Sequence, residues 1–127
     1  MLFRPGPHTY LPLALLTTMA WCWGEKARAA TKPDVEFNRD IRPLLSDACF
    51  RCHGPDQAER KAGLRLDTPE GVATDLGGYR AVVPGSVATS ELWKRITAHD
   101  ADDAMPPSDA ARQLSAAEKE RLRTWIE

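Results

Sequence analysis

Phe37-Asn38-Arg39-Asp40-Ile41-Arg42-Pro43-Leu44-Leu45-Ser46-Asp47-Ala48-Cys49-Phe50-Arg51-Cys52-His53 carries two patterns in succession. Phe37, Ile41, Leu44, Leu45 and Ala48 recur every three or four positions, the period of a helix with one apolar face, and Arg39, Asp40, Arg42 and Asp47 fill the other side. Pro43 suits that helix when Asn38 or Asp40 is the N-cap. The ring then falls in the first turn or just past it, where little hydrogen bonding is lost. The spacing predicts a helix that starts late and runs into Cys49.

The second pattern is Cys49-x-x-Cys52-His53. Two cysteines three positions apart at the end of a helix reach two vinyl groups of a haem, and the adjacent imidazole turns over the ring to bind iron, so this spacing reads as c-type haem attachment. Two other chemistries use the same residues. A thiol–disulfide module is usually set in a strand–helix–strand pattern, and a zinc site needs a fourth ligand from a second, similarly spaced cluster; the sequence offers neither. Iron bound by His53 leaves one axial position open, for which Met105 and His99 are the candidates. Met105 stands in Ala104-Met105-Pro106-Pro107, between an acidic loop and a diproline, with no apolar neighbours at helix or strand spacing. Its polarizable sulfur suits haem iron and raises the reduction potential relative to a second imidazole. His99 falls near a helix C-terminus, where an exposed histidine favours the negative end of the dipole.

Outward from this core, the 127 residues carry 17 Lys+Arg and 18 Asp+Glu for a net charge of −1, with 43% hydrophobic residues. These values fit one small globular domain, and no basic block offers a footprint for nucleic acid. Residues 1–29 have the form of a secretory signal peptide: Arg4 at the start, an apolar run from Leu11 to Trp23 too short to span a membrane, and Ala27-Arg28-Ala29 as small residues two apart. Cys22 follows bulky Trp21 and is discarded with this segment. Cleavage leaves 98 residues with 14 Lys+Arg and 17 Asp+Glu, a charge of −3, in a periplasmic or other extracytoplasmic compartment with no transmembrane segment. A chain of that size buries only about two thirds of its surface, so a large buried cofactor adds much of the apolar contact it lacks.

Residues 30–36 read as a solvated lead-in and 37–127 as the domain. From Gly54 to Gly85, Gly, Pro and Asp predict loop, with only Gly63-Leu64-Arg65-Leu66-Asp67 alternating as a short extended segment. Ser90 as a cap with Leu92, Trp93 and Ile96 predicts a helix of two or three turns. Ser115-Ala116-Ala117-Glu118 is a capping box that opens a last helix with Leu122, Trp125 and Ile126 on its apolar face. That apolar pattern still runs at Glu127, so the chain reads as part of a longer protein.

These residues resemble the planctomycete-type cytochrome c domain. The likeness is carried by Phe37 through Asp56, Lys61-Ala62-Gly63-Leu64-Arg65-Leu66-Asp67, Val83-Pro84-Gly85-Ser86, Ser90-Glu91-Leu92, Met105-Pro106-Pro107, and Leu114-Ser115 to Trp125-Ile126-Glu127. The resemblance implies an all-α, class I cytochrome c-like fold of three or more helices around one covalently bound haem, with long loops. It implies Cys49 and Cys52 as haem anchors, His53 as the proximal and Met105 as the distal ligand of the iron. It also implies that such a domain opens a larger exported protein, whose further domains or a separate redox protein exchange electrons with it.

Single-electron transfer is therefore the expected function, with no catalytic residues of its own. Asp100, Asp102, Asp103 and Asp109 then form a solvated loop that attracts a basic partner. A haem-based small-ligand or peroxide-reactive domain is the alternative that requires an open distal position, and a dithiol module without haem is the other.

Overall fold

The computed structural model describes residues 34–127; the expected signal peptide, with Cys22, and the start of the lead-in lie outside the described residues. Among the described residues the fold is helical. A π-helical turn, Phe37–Ile41, leads into α1 (Arg42–Ala48), followed by α2 (Phe50–His53), α3 (Pro69–Ala73), α4 (Glu91–Thr97) and α5 (Ala116–Ile126). Extended structure is limited to isolated bridges of Asp75 with Arg80 and Arg80 with Ser90. The all-α expectation holds at this level, and no described helix is long and apolar enough to cross a membrane.

The first helical run begins earlier than expected, and Glu36, not Asn38 or Asp40, caps it. The Glu36 carboxylate accepts the Arg39 N–H at 2.8 Å, while the Asp40 carboxylate accepts the Glu36 N–H at 2.9 Å. The turn is wider than an α-turn: the Arg42 N–H reaches back to the Phe37 carbonyl, five residues earlier. This widening ends where Pro43 removes the next donor, so the proline occupies the first turn of α1 without interrupting the apolar face. Period counting alone does not register a π-turn, which is why the start was misplaced.

That face packs against α5. Ile41 and Leu122 are wholly buried, Ile126 and Leu45 nearly so, and the Phe37 and Trp125 rings lie 5.5 Å apart. Around this crossing gather Leu66, Val72, Ala81, Val82, Leu92, Ile96 and Leu114. Each Leu or Ile sealed here contributes about 1.5–3 kcal/mol of transfer free energy. α5 opens with the expected capping box: the Ser115 hydroxyl accepts the Glu118 N–H at 3.3 Å and the Glu118 carboxylate accepts the Ser115 N–H at 2.8 Å.

Two local readings are corrected. Leu64–Asp67 forms no strand, and the stretch after it contains α3, whose start was legible in Thr68-Pro69-Glu70: the Thr68 hydroxyl accepts the Gly71 N–H at 3.1 Å, with proline at the first helical position. Ser90 stands at the N-cap of α4, yet its side chain does not cap it. The fully buried Ser90 hydroxyl accepts the Val83 N–H at 2.9 Å and donates to the Ser86 carbonyl at 2.8 Å, fixing the Val83-Pro84-Gly85-Ser86 turn. The first amides of α4 go instead to backbone: Glu91 N–H to the Arg80 carbonyl and Leu92 N–H to the Ala81 carbonyl. Gly85, at φ +78°, in turn donates to the Ile126 carbonyl at 2.7 Å, so the same turn satisfies the end of α5.

Candidate functional site

The motif sits where α1 gives way to α2. Cys49 donates to the Leu45 carbonyl as the last bond of α1, and its own carbonyl accepts the N–H groups of Cys52 (3.1 Å) and His53 (2.8 Å). One helical turn therefore gathers Cys49, Cys52 and His53 on adjoining positions. The next residue must be glycine here, because a Cβ at Gly54 would collide with the Phe50 carbonyl. Beyond it the chain folds back: Lys61 N–H bonds the Cys52 carbonyl and Leu66 N–H the His53 carbonyl, both at 2.8 Å, while the Arg60 guanidinium donates to the Gly54 and Pro55 carbonyls.

The two thiols differ. Cys49 packs half-buried against the core and burial pushes its pKa up to about 11, whereas Cys52 is exposed. A nucleophilic CxxC thiol needs the opposite shift. Among the described residues no group of three or more His, Cys, Asp and Glu gathers at metal-binding spacing, so the motif does not grow into a zinc tetrad there.

His53 is partly buried, and its Nδ1 is sealed from water with no hydrogen-bond partner. Burial holds the imidazole below its ordinary pKa, favouring the neutral form, against a smaller upward pull from the Lys61 backbone. A buried, unpartnered ring nitrogen calls for a reason. A metal-ligating histidine supplies one, since it presents one nitrogen to the metal and needs an acceptor for the other.

Met105 belongs to a different segment. It is 36% exposed, one of two exposed large hydrophobic residues among those described, the other being Tyr79. Core filler does not look like this. Its N–H bonds the Arg95 carbonyl at 3.0 Å, and a cis Met105–Pro106 peptide leads into buried Pro106. His99 is exposed and lies two residues past the end of α4. The acidic residues are exposed as expected, but two have local duties. Asp103 pairs with Arg95 at 2.7 Å, and Asp100 accepts the Asp102 N–H at 3.0 Å.

The structure thus brings Cys49, Cys52 and His53 together and places Met105 on a loop fastened to α4. Sequence reasoning missed Arg95, whose carbonyl accepts the Met105 N–H, and Lys61, whose N–H bonds the Cys52 carbonyl; no residue type announces such backbone contacts. It also missed an apolar groove of about 370 Å³ between Phe37, Val72, Val82, Pro84 and Trp125, which includes none of the four expected site residues. Searches of curated proteins and of solved structures return no significant match. Residues 49–109, from the first cysteine of the motif to beyond Met105, match the family of planctomycete cytochrome C, and over that stretch the chain is similar to that family.

Proposed function

We propose that this domain is a single-electron carrier holding one haem through thioethers to Cys49 and Cys52, with His53 as proximal and Met105 as distal axial ligand. The observation that carries the reading is the His53 ring, partly buried one helical turn from Cys49, with an Nδ1 sealed from water and without a hydrogen-bond partner. Haem supplies reversible one-electron chemistry at its iron when bound. The chain contributes the rest. α2 sets the two sulfurs one helical turn apart, the Lys61–Leu66 segment braces the histidine from behind, and the half-buried Cys49 anchors the group at the edge of the core. The Met105 thioether favours the reduced form relative to a second imidazole and closes the site to small ligands.

Such a carrier works outside the cytoplasm, where cysteines of this kind are matured, after export directed by residues 1–29. It passes electrons to a separate redox protein or to domains further along a longer chain. The dithiol reading is disfavoured by the Cys49 thiol, which burial keeps protonated.

The test is carbon monoxide binding to the reduced, haem-loaded chain. The parent is expected to bind it poorly and Met105→Ala readily. Ready binding by the parent would favour the small-ligand alternative and remove Met105 from the axial position.

A further inference from the structure

We propose that Arg95 is the positioning residue for the distal ligand, gripping the Asp100–Pro107 loop with both its backbone and its guanidinium. The proposal rests on Met105 being that ligand.

Arg95 lies in the last turn of α4, where its carbonyl has no α-helical donor and accepts only a long bond from the Ala98 N–H at 3.4 Å, leaving it open to a second donor. Its carbonyl takes the Met105 N–H at 3.0 Å. Its Nη1 donates to Asp103 Oδ1 at 2.7 Å, and its Nε donates at 2.8 Å to Glu91 Oε1, one turn earlier on the same helix, which fixes the direction of the fork. A single residue therefore holds the loop at two points two residues apart. Between them the loop braces itself: the Asp103 and Ala104 N–H groups both reach the Asp100 carbonyl, at 3.2 and 2.9 Å, and the Asp102 N–H reaches the Asp100 carboxylate. Restraint applied at Asp103 is thereby passed toward Met105. Packing restrains the side chain only in part, because Met105 is 36% exposed. With burial incomplete, the polar grip sets how often the thioether leaves its position. An exogenous ligand competing for that position then reports the open fraction directly, since apparent affinity scales with the competent population.

The experiment is a spectrophotometric imidazole titration of the oxidised, haem-loaded full chain, together with its far-red sulfur-to-iron absorption. Arg95→Gln and Asp103→Asn are each expected to tighten imidazole binding by about twofold to fivefold, the span an exposed charged pair permits, and to weaken that absorption. Arg95→Lys keeps the charge without the fork and is expected to fall between Arg95→Gln and the parent. Arg123→Gln, which breaks equally exposed pairs to Glu120 and Glu127 on α5, is expected to change nothing. Should Arg95→Gln lower the unfolding midpoint, Asp103→Asn decides, because its side chain is 63% exposed and its loss leaves the core untouched. Met105→Ala separates the two ideas. If it opens the site while Arg95→Gln and Asp103→Asn titrate like the parent, the grip is wrong and the ligand right; if Met105→Ala also titrates like the parent, the ligand assignment fails and the grip falls with it.

Discussion

Where the Phe37–Ile41 turn crosses α5, Ile41 and Leu122 are sealed from water and two aromatic rings pack at 5.5 Å; around Met105 the loop is largely exposed and joined by hydrogen bonds to one arginine. The same chain thus uses two kinds of support for the CxxCH motif and for the loop that carries the proposed distal ligand. The cysteines and His53 follow directly from the helix that is buried, so their placement inherits the stability of the core. Met105 rests on partial burial, on Pro106 beside it and on its hydrogen bond to α4. A region held by few buried contacts opens at lower cost than the core, so the two sides are expected to fail separately.

Breaking the buried side gives the largest effect. Leu122→Ala is expected to cost about 2–5 kcal/mol, because a wholly buried leucine leaves a cavity that helices cannot fully close, and the urea unfolding midpoint measures it. Gly54→Ala strikes the junction between core and motif. Its Cβ meets the Phe50 carbonyl, so about 1–3 kcal/mol of overpacking is expected, with displacement of His53 visible as a changed absorption spectrum. Ser90→Ala leaves the partly buried Val83 N–H without its partner and is expected to cost about 1–3 kcal/mol while imidazole binding stays unchanged. That pairing of results sharpens the contrast, since Ser90 serves the core and Arg95 the loop.

The smaller effects lie at the start of α5. Ser115→Ala removes half of the capping box and is expected to cost about 1 kcal/mol by chemical denaturation. The other half is pH-dependent. The Arg112 guanidinium, and then Ser115, hold the Glu118 carboxyl down to about 2, well below its ordinary value. A depressed carboxylate stabilises fully above its unfolded pKa, about 4.3, and the contribution is lost as pH falls through about 2. Glu118→Gln is therefore expected to flatten the acid limb of the unfolding midpoint between these values, by about 1 kcal/mol or less because the pair borders solvent.

Legibility in the sequence followed the same division. The apolar period of Phe37–Ala48 and the capping box at Ser115 are local patterns, and each led to a helical element, while the CxxCH spacing led to the family that residues 49–109 match. The π-turn before Pro43 escaped because it adds a residue to a turn without changing which residues are apolar. Ser90 misled because a serine before an apolar run has the form of a cap, while its hydroxyl was drawn to a turn seven residues earlier. The tie between Arg95 and Met105 was invisible, since it runs through a carbonyl that every residue possesses.

The most direct test of the account is the intact mass, under denaturing conditions, of the chain exported in a host that attaches haem to cysteines. A gain of one haem that survives denaturation, and is lost when Cys49 and Cys52 are both replaced by serine, is the predicted result. An unmodified or disulfide-closed mass, from a host shown to mature another c-type cytochrome, would contradict it.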